Sequence, residues 1–455
     1  MYPIHLGIVG AGTVGGGLRQ ALARNGSLMA SRLGVEIIVT RVAVRDPKKA
    51  RSIPVPADRI TNDWRAVVKD PAVQVVVELI GGTTAARDLV LAALRLGKPV
   101  VTANKALLSA HGPELFAAAA SHGTNLYYEA SVAGGIPIIK ILRESLAGNR
   151  ILSMHGIVNG TCNYILTRMK LDGAEFADVL ADAQRLGYAE AEPSLDIDGH
   201  DAAHKTGILA SLAHGSWVKP EQIHTEGIRH LSKLDIGFAS QLGYTIKLLG
   251  VVKLLDPVGK ARPARVVGLK GRSQSDCRRA AVQVSVYPAL VPDSHVLASV
   301  NFAYNAISVH GDIVGETLYY GRGAGQDPTA SSVLSDLADV ALDLKHGSTQ
   351  RVPPFVPHAS QCPVVPLAEV VSRYYLRLSV ADRPGVLAKI ASVLGKARIG
   401  ISSVIQPEGH EGEIVPLILM IHDATNAAMQ KALQRIARLS VVKAPPVMIR
   451  VEAFS

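Results

Sequence analysis

What the chain has little of narrows it first. Three of its 455 residues are cysteine, Cys162, Cys277 and Cys362, far apart and without C-x-x-C spacing. That argues against a disulfide framework or a thiolate zinc site. Only 4% of residues are aromatic, and Lys and Arg are spread along the sequence. A formal net charge of +10 therefore comes without a base-stacking surface, and nucleic acid is not an expected partner. The positive excess suits small ligands that carry phosphate or carboxylate. No apolar run reaches the roughly eighteen residues that suggest a membrane span. The start, MYPIHLGIVGAG, enters a strand-like run directly, without the basic and then apolar segments of a signal peptide. The expected location is the cytoplasm. Core-forming material is abundant, with 48% hydrophobic against 19% charged residues. A chain of this length exceeds what one core usually supports, so a globular protein of two or three domains is expected.

Over residues 1–135, strand-like runs at 5–9, 35–44, 73–80, 99–102 and 125–129 alternate with helical patterns such as 83–96 and 105–121. Continuous β-branched runs separated by amphipathic helices predict an α/β, doubly wound parallel sheet of Rossmann type. From 136 to 314 longer helices (136–147, 159–170, 174–186, 201–214) mix with strand-like runs at 281–286 and 306–309, predicting an α+β domain. Five prolines between Val352 and Pro366 are too many for a helix or a central strand, and mark a linker over 346–370. Beyond it, 371–455 reads strand, helix, strand, strand, helix, strand, the ferredoxin-like order, as a third, separate unit.

Gly10-Ala11-Gly12-Thr13-Val14-Gly15 follows the first strand and opens a helical pattern. In that context G-x-G-x-x-G points to a dinucleotide: the first glycine for the tight turn, the second for approach of the pyrophosphate, the third for helix packing. After the second strand comes Arg45-Asp46-Pro47-Lys48-Lys49. An arginine there accommodates the 2′-phosphate of NADP, which is favoured, while Asp46 keeps NAD open.

Several segments, in order along the chain, resemble homoserine dehydrogenase: the glycine loop, 78-ELIGGT-83, 101-VTANKALL-108, 128-YEASVAGGIP-137, 156-GIVNGTCNYIL-166, 187-GYAEAEPSLDIDGHDAAHK-205, and 321-GRGAG-325 with Thr329-Ala330-Ser331. The tail from Leu376, with 382-DRPGVL-387 at a strand-to-helix turn, resembles an ACT domain, the regulatory appendage of many such enzymes. No kinase-like segment precedes the glycine loop, so the resemblance is to the monofunctional form. It implies NAD(P)-dependent interconversion of L-homoserine and L-aspartate 4-semialdehyde, in threonine, methionine and isoleucine biosynthesis. By resemblance Lys205 is the proton donor, Asp201 orients it, and Lys105 lies beside the nicotinamide and the reacting oxygen. Glu190 and Asp196 match residues that hold the substrate's ammonium group. Gly10 to Gly15, Arg45, Thr83, Lys105 and Gly325 are implied at the cofactor, with 315–345 returning to complete the first domain. Glu129, Val132, Gly134 and Ile136 match a monovalent-cation site, for sodium or potassium, built largely from backbone carbonyls. The resemblance further implies dimers through the 136–314 domain, or tetramers through the tails, and an amino-acid effector at the tail, threonine by family logic. Removing 371–455 is then expected to leave catalysis and abolish feedback.

The stretch His200-Asp201-Ala202-Ala203-His204 comes close to the zinc-protease signature H-E-x-x-H. Aspartate is shorter than the glutamate that activates water there, and the surroundings are those of a dehydrogenase. Cys162 and His200 depart from the family pattern and carry no assigned role.

Overall fold

Val75, Val76 and Val77 are each fully buried, as are Val100 and Val101, so these short runs have no face left for solvent. Such strands belong inside a sheet covered on both sides. In the structure, a computed structural model describing residues 1–49, 53–255, 281–348, 350–358, 362–407, 410 and 413–454, they do. Cys277, within the stretch predicted as α+β, lies outside the described residues, as do 349 and 359–361 of the predicted linker. The chain divides into two compact bodies. One comprises 1–150, 204–220 and 311–360, the other 151–203, 221–310 and 361–455.

The first body holds a six-stranded sheet in the order Ile60–Thr61, Val35–Ala43, Tyr2–Val9, Val75–Glu78, Val100–Thr102, Leu126–Tyr127. All neighbours run parallel. Strand order reverses at Tyr2–Val9, and in such sheets ligands bind beyond the carboxyl ends of the strands at this switch point. Helices Thr13–Leu33, Thr84–Arg95 and Lys105–Ser121 connect the strands. Helix Gln326–His346 returns from far along the chain, and its Val333, Leu337 and Val340 share one core with Ile4, Leu6, Ile8 and Leu18.

The helix predicted over 136–147 forms over a shorter span, and only its first part is α-helical. Ile138–Lys140 is a short helix, and Ile141–Ser145 continues it as a π-helical turn. Ala133 and Gly134 both take left-handed backbone (φ 55° and 46°), and Ile136 N–H is spent on Ala133 O at 2.9 Å. The chain is therefore still turning where the periodicity suggests a helix has begun.

In the second body the strands lie in the order Tyr304–Gly311, Ile151–Ile157, Tyr244–Leu255, Ala281–Pro292, Val447–Val451, Val371–Ala381, Ile414–Thr425, Ile401–Ile405. The tail has its own core, with Leu376 and Leu378 of the sheet against Val386, Ile390, Leu394, Met429 and Ile436 of helices Val386–Lys396 and Asn426–Ala437. Its sheet nevertheless continues into that of residues 151–310. Val447–Val451 pairs antiparallel with Val371–Ala381 on one side and parallel with Ala281–Pro292 on the other, through Ala289 opposite Arg450 and Leu290 opposite Val451.

Candidate active site

The glycine loop leaves the strand Tyr2–Val9 and enters helix Thr13–Leu33. Its glycines are required for different reasons. Gly10 has φ 104°, and a side chain there would lie 2.4 Å from Leu79 O. A Cβ on Gly15 would stand 2.0 Å from Gly10 O, whereas one on Gly12 would meet nothing within 4 Å. Gly12 therefore faces open space at the start of a helix whose first turn carries no acidic residue and no side-chain cap. That is the geometry by which backbone N–H groups receive a pyrophosphate. Ala11, Thr13 and Val14 line the same turn. Gly325, φ 117°, precedes helix Gln326–His346. That helix begins against the first one: a Cβ on Gly17 would touch Gln326 Cγ at 2.4 Å. Arg45 is exposed just past the end of Val35–Ala43. Asp46 Oδ1 accepts Lys48 N–H at 2.9 Å, so part of that carboxylate is used within its own turn.

A buried chain of polar groups sets the neighbouring loop. Glu78, at the end of its strand, accepts N–H bonds from Ile80 (2.9 Å) and Gly81 (3.2 Å) on one oxygen and the Thr102 hydroxyl (2.6 Å) on the other. Burial raises the pKa of Glu78 against these bonds. Thr102 Oγ1 accepts Asn104 N–H at 3.0 Å, Asn104 Nδ2 donates to Gly82 O at 2.7 Å, and Asn104 Oδ1 caps the next helix by accepting Leu107 N–H at 3.1 Å. Lys105 is the first residue of that helix, and Thr83 precedes Thr84–Arg95 without a capping bond. Sequence reasoning gave Glu78, Thr102 and Asn104 no roles. The structure makes them the scaffold of Lys105 and of the Gly81-Gly82 loop.

In the second body Asn159 joins two of the expected residues. Its Nδ2 donates to Asp196 Oδ1 at 2.7 Å and to Asp201 Oδ2 at 2.9 Å. Its Oδ1 caps helix Gly160–Asp172 by accepting Cys162 N–H at 2.8 Å. Asp196 also accepts the Thr161 hydroxyl at 3.1 Å. Asp201 lies in the first turn of helix His200–His214, and Lys205, one turn later on that helix, falls in the first body; they are 4% and 8% exposed. Glu190 is not drawn into this cluster: it is exposed, and its carbonyl accepts Gln184 Nε2 at 3.1 Å. The remaining acids upstream have local partners. Glu192 accepts Ser194 N–H and hydroxyl, and Asp198 pairs with Arg229. His200 is exposed and Cys162 is buried, its thiol donating to Asp196 O at 3.2 Å.

Glu129, Val132, Gly134 and Ile136 fall on the left-handed turn in the first body, and all four are buried. The Glu129 carboxylate accepts Ile139 N–H (2.9 Å) and Lys140 N–H (2.8 Å); burial still pushes its pKa to about 7. Helix Gln326–His346 grips the same turn: Asp336 Oδ2 accepts Glu129 N–H at 2.9 Å, and the Ser332 hydroxyl donates to Gly134 O. A buried, all-oxygen donor set beside two carboxylates fits a hard monovalent cation. Both Glu129 carboxylate oxygens are engaged, and the carbonyls of Glu129, Gly134 and Ile136 already accept Val132 N–H, the Ser332 hydroxyl and Ile138 N–H, so a cation there would share its carbonyl donors with these bonds. Ser332 and Asp336, four residues apart on one helix face, carried a spacing signal that the sequence reading did not use.

Comparison with known proteins matches three family models: "Homoserine dehydrogenase, NAD binding domain" over residues 10–129, "Homoserine dehydrogenase" over 137–338, and "ACT domain" over 374–439. The homoserine dehydrogenase of Pseudomonas aeruginosa is 44% identical over 459 aligned positions, covering 100% of both chains. The crystal structure of a homoserine dehydrogenase from Thiobacillus denitrificans superposes with a TM-score of 0.89 at 43% identity, covering 99% of each chain. A hyperthermophilic archaeal homoserine dehydrogenase in complex with NADPH, 25% identical, superposes with a TM-score of 0.60, covering 75% of this chain and 98% of its own.

Proposed function

The chain belongs to the homoserine dehydrogenase family, and from that premise we propose how its residues divide the work. It is an NAD(P)-dependent oxidoreductase that interconverts L-homoserine and L-aspartate 4-semialdehyde, and its ACT domain implies an amino-acid effector. The nicotinamide, when bound, exchanges a hydride with the substrate carbon. The residues of the chain must then bind the substrate, move one proton at its oxygen and balance the charge that develops there.

Asp196 holds the substrate's ammonium group, and Glu190, exposed and outside the Asn159 cluster in this structure, joins it when the substrate is bound. Lys205 gives the proton to the carbonyl oxygen in the reducing direction and takes it back in the other, with Asp201 orienting its amine. Lys105, at the head of its capped helix, stands by the nicotinamide and the reacting oxygen. The observation that carries this division is the Asn159 amide, which donates to Asp196 and Asp201 together and so holds the ammonium site and the proton-transfer site in one frame. Gly10 to Gly15, Thr83 and Gly325 receive the cofactor. Exposed Arg45, with Asp46 partly engaged in its own turn, favours NADP, with NAD as the second choice. Carbonyls of Glu129, Val132, Gly134 and Ile136 would hold sodium or potassium, which would supply positive charge beside Glu129 and Asp336.

The effector is threonine, acting from the 371–455 tail. Domains run 1–135 with 315–345, 136–314, a linker 346–370, and the tail. The enzyme works as a homodimer or homotetramer in the cytoplasm. Among the described residues, no helix is long and apolar enough to cross a membrane.

An assay of homoserine oxidation with NAD and NADP in parallel, with and without threonine, tests these points together. NADP is expected to give the higher kcat/KM, and threonine to lower the rate. Lys205→Ala is expected to lower kcat by at least roughly a hundredfold, the scale of general acid–base catalysis, while cofactor binding followed by fluorescence stays near that of the unaltered enzyme. Equal loss of cofactor affinity and rate would remove Lys205 from the proton-transfer role. Absence of any homoserine-dependent change with either cofactor would overturn the whole proposal.

A further inference from the structure

Asp196 sits in the single helical turn Ser194–Ile197, which is too short to hold its own shape. It is fixed from behind by the segment 226–229. Ile228 N–H donates to Ile197 O at 2.8 Å. Arg229 Nη2 donates to the Ser194 hydroxyl at 2.7 Å and to Asp198 Oδ2 at 3.0 Å, and its Nε donates to the other Asp198 oxygen. Residues on both sides of Asp196 are thus pinned by two consecutive residues. Between the segments the fit is backbone on backbone: a Cβ on Gly227 would lie 2.2 Å from Ile197 O and 2.5 Å from Asp198 Cα. Displacement of Gly227 toward this turn must displace the turn.

The other end of the segment is held by the tail. Glu226 N–H donates to Val286 O at 2.8 Å. Its carboxylate receives both terminal nitrogens of Arg450, at 2.8 and 3.0 Å, and lies 2.7 Å from His224 Nε2. Arg450 is 1% exposed, lies over the Tyr287 ring at 4.5 Å, and donates at 2.9 Å to Asn426 Oδ1. Asn426 begins helix Asn426–Ala437, and Arg450 lies in strand Val447–Val451, so both belong to the tail. Burial works against the charge of Glu226, but the His224 bond and the guanidinium outweigh it and lower its pKa to about 2. The pair stays ionised across the neutral range.

We propose that Glu226 and Arg229 are positioning residues for Asp196, and that Arg450 couples the grip on the substrate's ammonium group to the conformation of the tail. The path runs from Asn426 and Arg450 through Glu226 and residues 227–229 to Ser194, Ile197 and Asp198, which flank Asp196. An amino acid bound to the tail that shifts the last strand against Ala281–Pro292 pulls on Glu226 and changes homoserine affinity. By reciprocity homoserine changes the affinity of that amino acid by the same factor. The proposal rests on the assignment of Asp196 to the ammonium group.

The test uses the full chain and four variants, Arg229→Ala, Arg450→Lys, Glu226→Gln and the double variant Arg229→Ala/Arg450→Lys, with Asp196→Asn as control. Each single variant is expected to raise KM for homoserine by about tenfold, the scale of one charge-assisted bond, with kcat and the cofactor KM within about twofold. The double variant is expected to raise KM no further than the larger single effect, since both changes cut one path. Arg229 is half-exposed, so Arg229→Ala tests the positioning role even where a change at buried Arg450 impairs folding. An unchanged homoserine KM in Arg229→Ala, or losses of homoserine and cofactor affinity in equal measure, overturns the positioning role. Additive effects in the double variant overturn the coupling. If Asp196→Asn itself leaves the homoserine KM unchanged, it is the assignment of Asp196 that fails.

Discussion

Single residues in the first body separate folding from binding. A methyl on Gly12 meets nothing within 4 Å, whereas one on Gly15 stands 2.0 Å from a carbonyl oxygen. Gly12→Ala is therefore expected to leave thermal stability nearly unchanged, within about 1 kcal/mol, while lowering cofactor affinity, because the methyl occupies the space a pyrophosphate approaches. Gly15→Ala is expected to lower the melting temperature as well. Thermal melts beside a fluorescence titration distinguish the two, and equal destabilisation by both would contradict the geometry. His214, buried in the same body, offers a pH signature. Burial first, and the charge of His358 second, lower its pKa from 6.5 to about 4. Below pH 6.5 the unfolded chain takes up a proton that the folded chain refuses until about pH 4. Stability is thus expected to fall as pH drops through that window, by about 3 kcal/mol from this group. His214→Gln is expected to flatten that part of a urea-denaturation profile, and an unchanged slope would show that the imidazole is not the group responsible.

Among the elements, those with local punctuation were legible in advance. Helix Lys105–Ser121 begins and ends where its pattern predicts, with Asn104 as its cap, and Asn426–Ala437, capped by Thr425, is the second helix in the order read for the tail. The paired acids were legible only in part. Asn159 stands in sequence at the start of the predicted helix 159–170, and in the structure it is that helix's cap. That its amide also reaches carboxylates 37 and 42 residues later depends on how helix Gly160–Asp172 packs against the turn Ser194–Ile197, which no local pattern encodes. The run 136–147 was legible except at its ends. Its helical periodicity is real and helix forms over 138–145, but left-handed backbone at Ala133 and Gly134 delays its start, and the Glu129 carboxylate caps the orphan N–H groups of Ile139 and Lys140 in its first turn. Asn104→Ala tests the element that carries Lys105: loss of the cap is expected to cost about 1 kcal/mol, and release of Gly82 O is expected to lower kcat more than the cofactor KM. Unchanged kcat would detach this scaffold from the chemistry.

At the scale of the whole molecule, the tail is not an appendage that can be cut away cleanly. Arg450 pairs with Glu226, Glu452 with Lys253 and His155, and Arg377 with Asp235, which is itself fully buried. Deleting 371–455 strips each of these of one partner, at a cost of order 3 kcal/mol for a buried pair, and bares the edge of Ala281–Pro292. The expectation that such a deletion leaves catalysis intact is therefore revised. The shortened chain is expected to melt well below the full one and to aggregate, and a truncated enzyme of undiminished thermal stability would contradict the shared sheet. Changes such as Arg229→Ala, which leave the sheet whole, are the better way to separate regulation from catalysis. The parallel pairing of Ala289 and Leu290 with Arg450 and Val451 also bears on how the molecule is made. Those partners lie far along the chain from Ala281–Pro292, so during folding the edge of that strand stays open until Val447–Val451 docks. An open strand edge is a template for other chains, so the folding chain is expected to aggregate more readily before that strand docks than after it.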